Sequence, residues 1–520
     1  MPISSSIKKN LYKDSVALMR IAQTALSRDG VRRATLQMGT PANKAITASA
    51  GLLTAELEAA GPGDVMIVVE GATDQAVAEA VAEIESLLAG QAASAAAGSP
   101  ADAVVLRSLA MGHGRVDGAV LAQISVPGPY AAAEAMKALR RGLHVFLFSD
   151  NVPIEQERAI KAVGRARGLL VMGPDCGTAI LQGTPLGFAN VVRPGDISVV
   201  GASGTGLQEV TCQIHALGQG IRHAIGTGSH DVSAEIGGST LRQALALLAA
   251  DPGTRVICIV SKTPAPEVTR LVLEQIAAID KPVVVLFLGA DLSSLRLPDH
   301  VVAVTTLVDA ARAAAALAEG RRAEPAEDAE GAEGGIDVDA EVRRFAPGQR
   351  DVRGLYSGGT FASEAQLIWA GLDLPLTAHV AGARRSSGHA AVDLGDDEFT
   401  VGKPHPMIDP STRIERIAAE AGDPATAVLV LDVVLGYAGH DDPAGALAPA
   451  ISAARATAER AGRHLSVVAF VCGTEEDPQR LSAQQATLRA AGALVVPGST
   501  AAARLAGRIG RGLRAGSARP

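Results

Sequence analysis

The chain has 520 residues, 48% of them hydrophobic, and 47 Lys and Arg against 55 Asp and Glu give a net charge of −8. That length accommodates about three to four domains with their own cores, and an acidic chain without a basic stripe excludes a nucleic-acid partner held by phosphate neutralisation. Cys176, Cys212, Cys258 and Cys472 are scattered without a C-x-x-C pair, Lys8 and Lys9 precede no apolar leader, and no apolar run approaches a membrane span, so we expect a cytoplasmic protein with no zinc ribbon and no membrane contact.

Residues 1–92 predict a small α/β domain, with strands at Ser6–Leu11, Ala34–Met38 and Val65–Val69 and helices at Asp14–Leu26 and Asp74–Leu88. A short helix is expected after Gly39-Thr40-Pro, with Asn43 near its cap. Ala89–Ala103 is rich in Ala, Gly and Ser and is expected to be a flexible linker. The next unit, 104–192, predicts strands at Leu121–Val126, His144–Ser149 and Leu169–Met172, helices at Ala131–Arg141 and Ile154–Arg167, and a closing loop Gly173-Pro-Asp-Cys-Gly-Thr-Ala179. Residues 193–318 and 349–512 then alternate apolar strands with Ala-rich helices. Such strands are buried on both faces and parallel, as in doubly wound α/β domains. Between them, 319–346 is acidic with few large apolar side chains and is expected to be a tether.

The two long domains carry one motif in the same spacing. Ser198-Val-Val-Gly-Ala-Ser-Gly-Thr-Gly-Leu-Gln-Glu209 and Gly354-Leu-Tyr-Ser-Gly-Gly-Thr-Phe-Ala-Ser-Glu364 each run from an apolar strand through a Gly-Thr turn into a helix. Small residues there let an anion approach the free N–H groups of the helix start. Ser203, Gly204, Thr205 and Gly206, with Ser357, Gly358, Gly359 and Thr360, are therefore the expected phosphate or carboxylate ligands. Glu209 and Glu364 follow in the first turns, either as catalytic carboxylates or as complements to the helix dipole.

Other candidates lie on loops at carboxyl ends of strands, where ligands bind in such folds. Asp175 and Cys176 occupy one such loop, although a cysteine in a Pro-Asp-Cys-Gly turn also suits a structural role. His230 and Asp231 follow the first repeat. In Gly402-Lys-Pro-His-Pro-Met-Ile-Asp409 two prolines restrain the loop that carries His405 and Lys403, the expected substrate-contacting groups. Asp396-Asp397 could hold Mg²⁺ but equally forms a solvated turn, and no spacing of His, Cys and Asp predicts a metal site.

Leu170-Val-Met-Gly-Pro-Asp-Cys-Gly, Gly-Ala-Ser-Gly-Thr-Gly and Asp251-Pro252, in this order, resemble the succinyl-CoA synthetase α subunit, and the second Gly-Thr domain is similar to the CoA-ligase domain of its β subunit. Gln37-Met-Gly-Thr-Pro-Ala-Asn-Lys-Ala45, Phe148-Ser-Asp-Asn-Val152 and Asp393-Leu-Gly-Asp-Asp-Glu, continuing to Pro410, resemble the FdrA proteins over the whole chain. The resemblance implies a multidomain α/β protein, with a Rossmann-like CoA-binding unit over 104–192 and two flavodoxin-like synthetase domains, α-type at 193–318 and β-type at 349–512. It further implies acyl or carbamoyl transfer through an acyl phosphate, as in oxamate carbamoyltransferase of allantoin breakdown. Phosphate, carbamoyl phosphate and possible CoA are the implied ligands, and other subunits of a hetero-oligomer the implied partners. The chain departs from the synthetases where their phosphohistidine loop would lie: Leu288-Gly-Ala-Asp-Leu-Ser-Ser has no histidine. Ser261-Lys262-Thr-Pro stands where they carry a supporting glutamate, and neither an ATP-grasp domain nor a Walker motif is present. A CoA-ligase component with a separate ATP-grasp partner and a non-catalytic metabolite-binding scaffold are the alternatives.

Overall fold

The computed structural model describes residues 2–9, 11, 15–26, 28–40, 43–44, 47–48, 51–97, 106, 108–292, 295–323, 335–380, 382–383, 385–400 and 404–517. The chain divides into two units, Met1–Gly112 with Thr400–Pro404 and His113–Phe399 with His405–Pro520.

In the first unit, β1 (Ile3–Lys8), β2 (Val31–Met38) and β3 (Val65–Gly71) form an antiparallel sheet in the order β1-β3-β2. Positions 65–69 of β3 are all apolar because the alternating side chains of the strand are covered on both faces. Val65, Ile67 and Val69 face the helices Ser15–Leu26 and Asp74–Ala97 through Leu18, Ile21 and Ile84, whereas Met66 and Val68 face Leu52 and Leu57. The second helix continues to Ala97, through part of the stretch expected to be a linker. Alanine has the highest helix propensity and no proline intervenes before Pro100, so the low complexity of this segment extends the helix.

The second unit opens with a parallel three-stranded sheet, β4 (Leu121–Ile124), β5 (His144–Leu147) and β6 (Val171–Met172), where the apolar runs predicted it. A hairpin that periodicity did not reveal follows, β7 (Thr178–Leu181) and β8 (Thr184–Gly187). It pairs antiparallel with the next sheet, so the boundary expected at 192 falls inside a continuous structure.

That sheet comprises β9 (Pro194–Gly201), β10 (Ile221–Gly226), β11 (Val256–Lys262), β12 (Val283–Leu288) and β13 (Val301–Ala303), ordered β13-β12-β11-β9-β10-β7-β8. The last sheet comprises β14 (Asp351–Tyr356), β15 (Ala390–Asp393), β16 (Thr426–Val434), β17 (Ser466–Cys472) and β18 (Leu494–Val496), all parallel and ordered β15-β14-β16-β17-β18. Strand for strand, the two orders are the same five-stranded topology. In both, the first strand lies between the second and the third, and a crevice opens at that reversal. The Gly-Thr turns follow β9 and β14 and so sit at the two crevices.

The halves share one core, in which Val199 and Leu207 of the first pack in the same cluster as Phe361, Trp369 and Phe470 of the second. Polar side chains join them as well. Asn190 Nδ2 donates to Leu435 O and to Asp477 Oδ2 (2.9 Å each), Val191 N donates to Asp477 Oδ1 (2.8 Å), and Thr474 Oγ1 donates to Val191 O (2.6 Å). The acidic segment is anchored at its end by the short helix Val338–Val342, where Glu341 accepts from Ser466 Oγ (2.5 Å) and pairs with His464 (2.8 Å).

Candidate functional site

The two Gly-Thr helices, Gly204–Ala216 and Gly359–Gly371, meet at their N-termini. Neither cap residue, Ser203 nor Gly358, caps its own helix with a side chain. Instead Ser203 Oγ and Thr360 Oγ1 share a hydrogen bond of 2.7 Å across the halves. The reciprocal contact joins Thr205 and Gly358: a Cβ on Gly358 would lie 2.6 Å from Thr205 Oγ1 and 2.9 Å from Thr205 Cβ. Each threonine thus rests on the cap residue of the other helix. A third small position completes the fit, since a Cβ on Gly206 would lie 3.0 Å from Thr360 Cγ2.

The helix starts open on a cavity of about 170 Å³. Both turns line it, together with Asp175–Thr178, Phe188, Gly226–Ser229, Lys262, Asp393, Gly395, His405 and Met407. Gly228 is required in this wall, because it has φ +90 and a side chain there would overlap the Pro174 carbonyl. The first few N–H groups of a helix have no intrahelical partner, so two such ends facing one cavity form a region of positive potential built from backbone alone.

Charged and ring side chains add to the polar lining, among them Lys262, Asp393 and His405. His405 packs against Phe188 with its ring tilted by 40° and 5.6 Å between ring centroids, and burial pushes its pKa down to about 4. Its Nδ1 accepts from Met407 N (3.3 Å), so the neutral ring carries its proton on Nε2. Burial pushes the Asp393 carboxyl up to about 6, opposed by the Gly395 N–H (2.9 Å) and by Lys262. His405 Nε2 and Asp393 Oδ1 lie 2.6 and 3.2 Å from the point where a Gly395 Cβ would stand, so a donor and an acceptor face the same space. Behind this wall, Ser357 N donates to Asp432 Oδ1 (2.9 Å), Ser357 Oγ also bonds to Asp432, and Arg413 pairs with the same carboxylate (2.9 Å). That buried pair fixes the end of β14.

Several sequence-based assignments change. Glu209 and Glu364 do not line the cavity; each holds the start of a helix other than its own. Glu209 Oε1 accepts from Ser499 N (3.1 Å), and Glu364 accepts from Leu307 N (2.8 Å), Ser499 Oγ (2.6 Å) and Thr500 Oγ1 (2.9 Å). Asp231 is buried, pairs with Lys161 (2.8 Å) and caps Ser239–Ala250 through Thr240 N and Leu241 N (2.9 Å each), while exposed His230 contacts Glu157 at 3.3 Å. Neither lines the cavity; their neighbour Ser229 does. Cys176 lines it but is buried, with a thiol pushed up to about 12, so it supplies no thiolate. Asp175 lines the same wall. Lys403 lies outside the described residues, and Asp397 belongs to the short helix Asp397–Thr400. Among the described residues no cluster of three metal-binding side chains occurs, and no helix is long and apolar enough to cross a membrane.

Lys262 and Asp393 were not among the sequence candidates. Lys262 stood out only as a departure from the synthetase pattern, and Asp393 as the first residue of a long acidic motif.

Two like-wound sheets whose Gly-Thr helices meet over one cavity define a CoA-ligase-like α/β protein, and the comparisons agree. Residues 355–509 match the CoA-ligase family, 192–289 match the CoA binding domain, and 1–104 match the heavy metal-associated domain of AllF. The CoA-binding match thus falls on the first Gly-Thr domain, next to the unit at 104–192 for which CoA binding was expected.

The chain belongs to the family of the uncharacterized protein YahF of Escherichia coli (strain K12), to which it is 41% identical over 509 residues, 96% of this chain and 97% of that protein. It is also 28% identical over 158 residues to the malate–CoA ligase subunit alpha of Methylorubrum extorquens, covering 29% of this chain and 52% of that subunit. Among solved structures, the apo dinucleotide-forming acetyl-coenzyme A synthetase 1 of Ca. Korarchaeum cryptofilum aligns over 81% of this chain and 88% of its own, at 15% identity and a TM-score of 0.32. The heavy-metal description finds no thiolate or imidazole ligand in composition: residues 1–104 contain neither cysteine nor histidine, which leaves methionine thioethers as the soft donors there.

Proposed function

We propose that this chain is an FdrA-type subunit that transfers an acyl or carbamoyl group to or from inorganic phosphate, in a hetero-oligomer. The observation that carries this reading is the convergence of two helix N-termini on one cavity, locked by the bond from Ser203 to Thr360. In the specific reaction proposed, a phosphate oxygen attacks the carbamoyl carbon of oxalurate. The carbon–nitrogen bond breaks, the leaving nitrogen takes a proton, and oxamate and carbamoyl phosphate are formed. Gly204, Thr205, Gly206, Gly359 and Thr360 would present backbone donors to the phosphate, where preorganised N–H groups stabilise developing charge. His405 would donate from Nε2 to the carbonyl oxygen.

The CoA-binding and CoA-ligase matches favour a second reading. In it the chain is a CoA-ligase component of the succinyl-CoA synthetase type that depends on a separate ATP-grasp partner. Calorimetric titration of the purified chain with phosphate, carbamoyl phosphate and CoA separates the two. Saturable binding of phosphate or carbamoyl phosphate without CoA is the expected result. CoA binding would transfer support to the ligase reading, and no binding of any of the three would leave only a scaffold.

A further inference from the structure

The two repeat glutamates meet at the joint of the halves. Glu209 and Glu364 are 2% and 1% exposed, and Ser499 bridges them, with its N–H on Glu209 Oε1 (3.1 Å) and its hydroxyl on Glu364 Oε2 (2.6 Å). Their donors are shared unequally. Glu364 accepts on both oxygens, since Leu307 N (2.8 Å) and Thr500 Oγ1 (2.9 Å) bond to Oε1, and Arg504 favours its charged form. Glu209 accepts on Oε1, where Gln213 Nε2 (3.0 Å) joins Ser499, while its Oε2 is buried with no hydrogen-bond partner among the described residues. A bare carboxylate oxygen out of water is costly when charged and far less so when protonated. Two carboxylates held in one dry site do not both ionise readily.

We infer that Glu209 and Glu364 form a proton-holding pair, charged on Glu364 and protonated at Glu209 Oε2, which links closure of the two halves to the uptake of one proton. The pair exists only in the closed joint. Glu209 comes from helix Gly204–Ala216 of the first half, whereas Glu364 and Ser499 come from helices Gly359–Gly371 and Ser499–Ser517 of the second. Leu307, which Glu364 holds, returns the contact from the first half. The two Gly-Thr helices that open on the cavity therefore carry, little more than one turn further on, the groups whose protonation favours their meeting. This regulation goes beyond the transfer chemistry proposed above and does not depend on which ligand fills the cavity.

Glu209 faces Glu364 across the joint, Cys212 on its own helix and Cys472 at the end of β17, and Tyr356 of β14 and Arg504 lie beside Glu364. Burial is the largest influence on both carboxyls and raises both. On Glu209 the charge of Glu364 adds to it, and the bonds from Ser499 and Gln213 oppose it, with the result near 7. Burial also lifts the Cys212 and Cys472 thiols and the Tyr356 hydroxyl, so these stay neutral over the same range. Between the ordinary 4.5 and about 7, the closed joint keeps a proton that an open joint releases. Closure is therefore favoured as the pH falls through that window, and becomes independent of pH above it.

Two measurements on the full chain test this. Infrared difference spectra in D2O, wild type minus Glu209→Gln, should show the carbonyl stretch of one protonated carboxyl below about pH 7 and lose it above. Glu364→Gln removes the like charge and should move that loss to lower pH. Hydrogen exchange should report the joint itself. Protection of peptides carrying the Leu307 and Ser499 amides, corrected for intrinsic exchange, should fall from pH 5 to 7 by at most about tenfold per unit, the limit for one coupled proton. It should level off above, and Glu209→Gln should flatten it. Absence of a protonated-carboxyl band at pH 6, or protection that ignores pH in the wild type, would each overturn the inference, as would an unmoved band in Glu364→Gln. The wild-type exchange series needs no variant, so a poorly folding substitution does not spoil the test.

Discussion

Replacing Gly358 with alanine would put a methyl group where Thr205 already stands. The backbone tolerates alanine, since Gly358 has φ −149 and ψ 130, so any cost comes from the contact. The new carbon would lie 2.9 Å from Thr205 Cβ, against about 3.5–4.0 Å for carbons in contact. Rotating the Thr205 side chain moves its Oγ1 and Cγ2 but leaves Cβ in place, so the two helix ends must separate by about 1 Å. That displacement stretches the 2.7 Å bond from Ser203 to Thr360 out of hydrogen-bonding range. Overpacking of this kind costs about 1–3 kcal/mol and the lost bond about 0.5–1.5 kcal/mol. The expected loss is therefore roughly 2–4 kcal/mol. Guanidinium unfolding followed by the fluorescence of Trp369, the single tryptophan and fully buried in the second half, reads it directly. Phosphate titration should show a parallel loss of at least about tenfold. Adding Thr205→Gly should recover at least about 1 kcal/mol relative to additivity. Stability within about 0.5 kcal/mol of wild type, together with full phosphate affinity, would refute the interlocked geometry.

Burial raises the Glu209 carboxyl from 4.5 to about 7, with nearby Glu364 adding to it. The folded state therefore holds a proton that the unfolded state has released, and stability falls as the pH rises through that window. Glu209→Gln should abolish that part of the slope in guanidinium midpoints measured across it; an identical slope in the variant would show that Glu209 does not titrate there. Arg413→Ala leaves the fully buried Asp432 carboxylate without its guanidinium and should cost about 3–5 kcal/mol. Arg413→Ala with near wild-type unfolding would mean that the two Ser357 bonds alone hold Asp432.

The repeat was legible because its cause is local: a strand, a turn of small residues and a helix start need those residue types in that spacing. Parallel, doubly wound sheets followed, since Val- and Ile-rich strands separated by helices are buried on both faces; the order of the strands came from the structure. What the repeat does with its glutamates was not legible. Glu209 and Glu364 share one spacing, yet their partners, Ser499 and Leu307, lie 290 and 57 residues away. Asp393 and Lys262 escaped notice for the same reason, as they come from strands of different sheets and meet only when the halves close. The hairpin at 178–187 is too short for periodicity to mark, and the alanine-rich stretch that extends to Ala97 resembles a linker in composition although its helix propensity is high.

The hydrogen bonds that run from Asn190 and Val191 to Leu435, Thr474 and Asp477 span more than 240 positions of sequence. None of their donors or acceptors comes from the acidic segment between Glu319 and Asp337. Covalent continuity across that segment fixes the ratio of the halves at one to one and holds them at a local concentration on the order of millimolar for a short connection. Geometry is supplied elsewhere, by the crossing bonds and the interlocked threonines. A chain opened within the segment would keep every one of these contacts, so its two fragments would behave as a pair of matched subunits whose association, once made, is governed by how slowly they part.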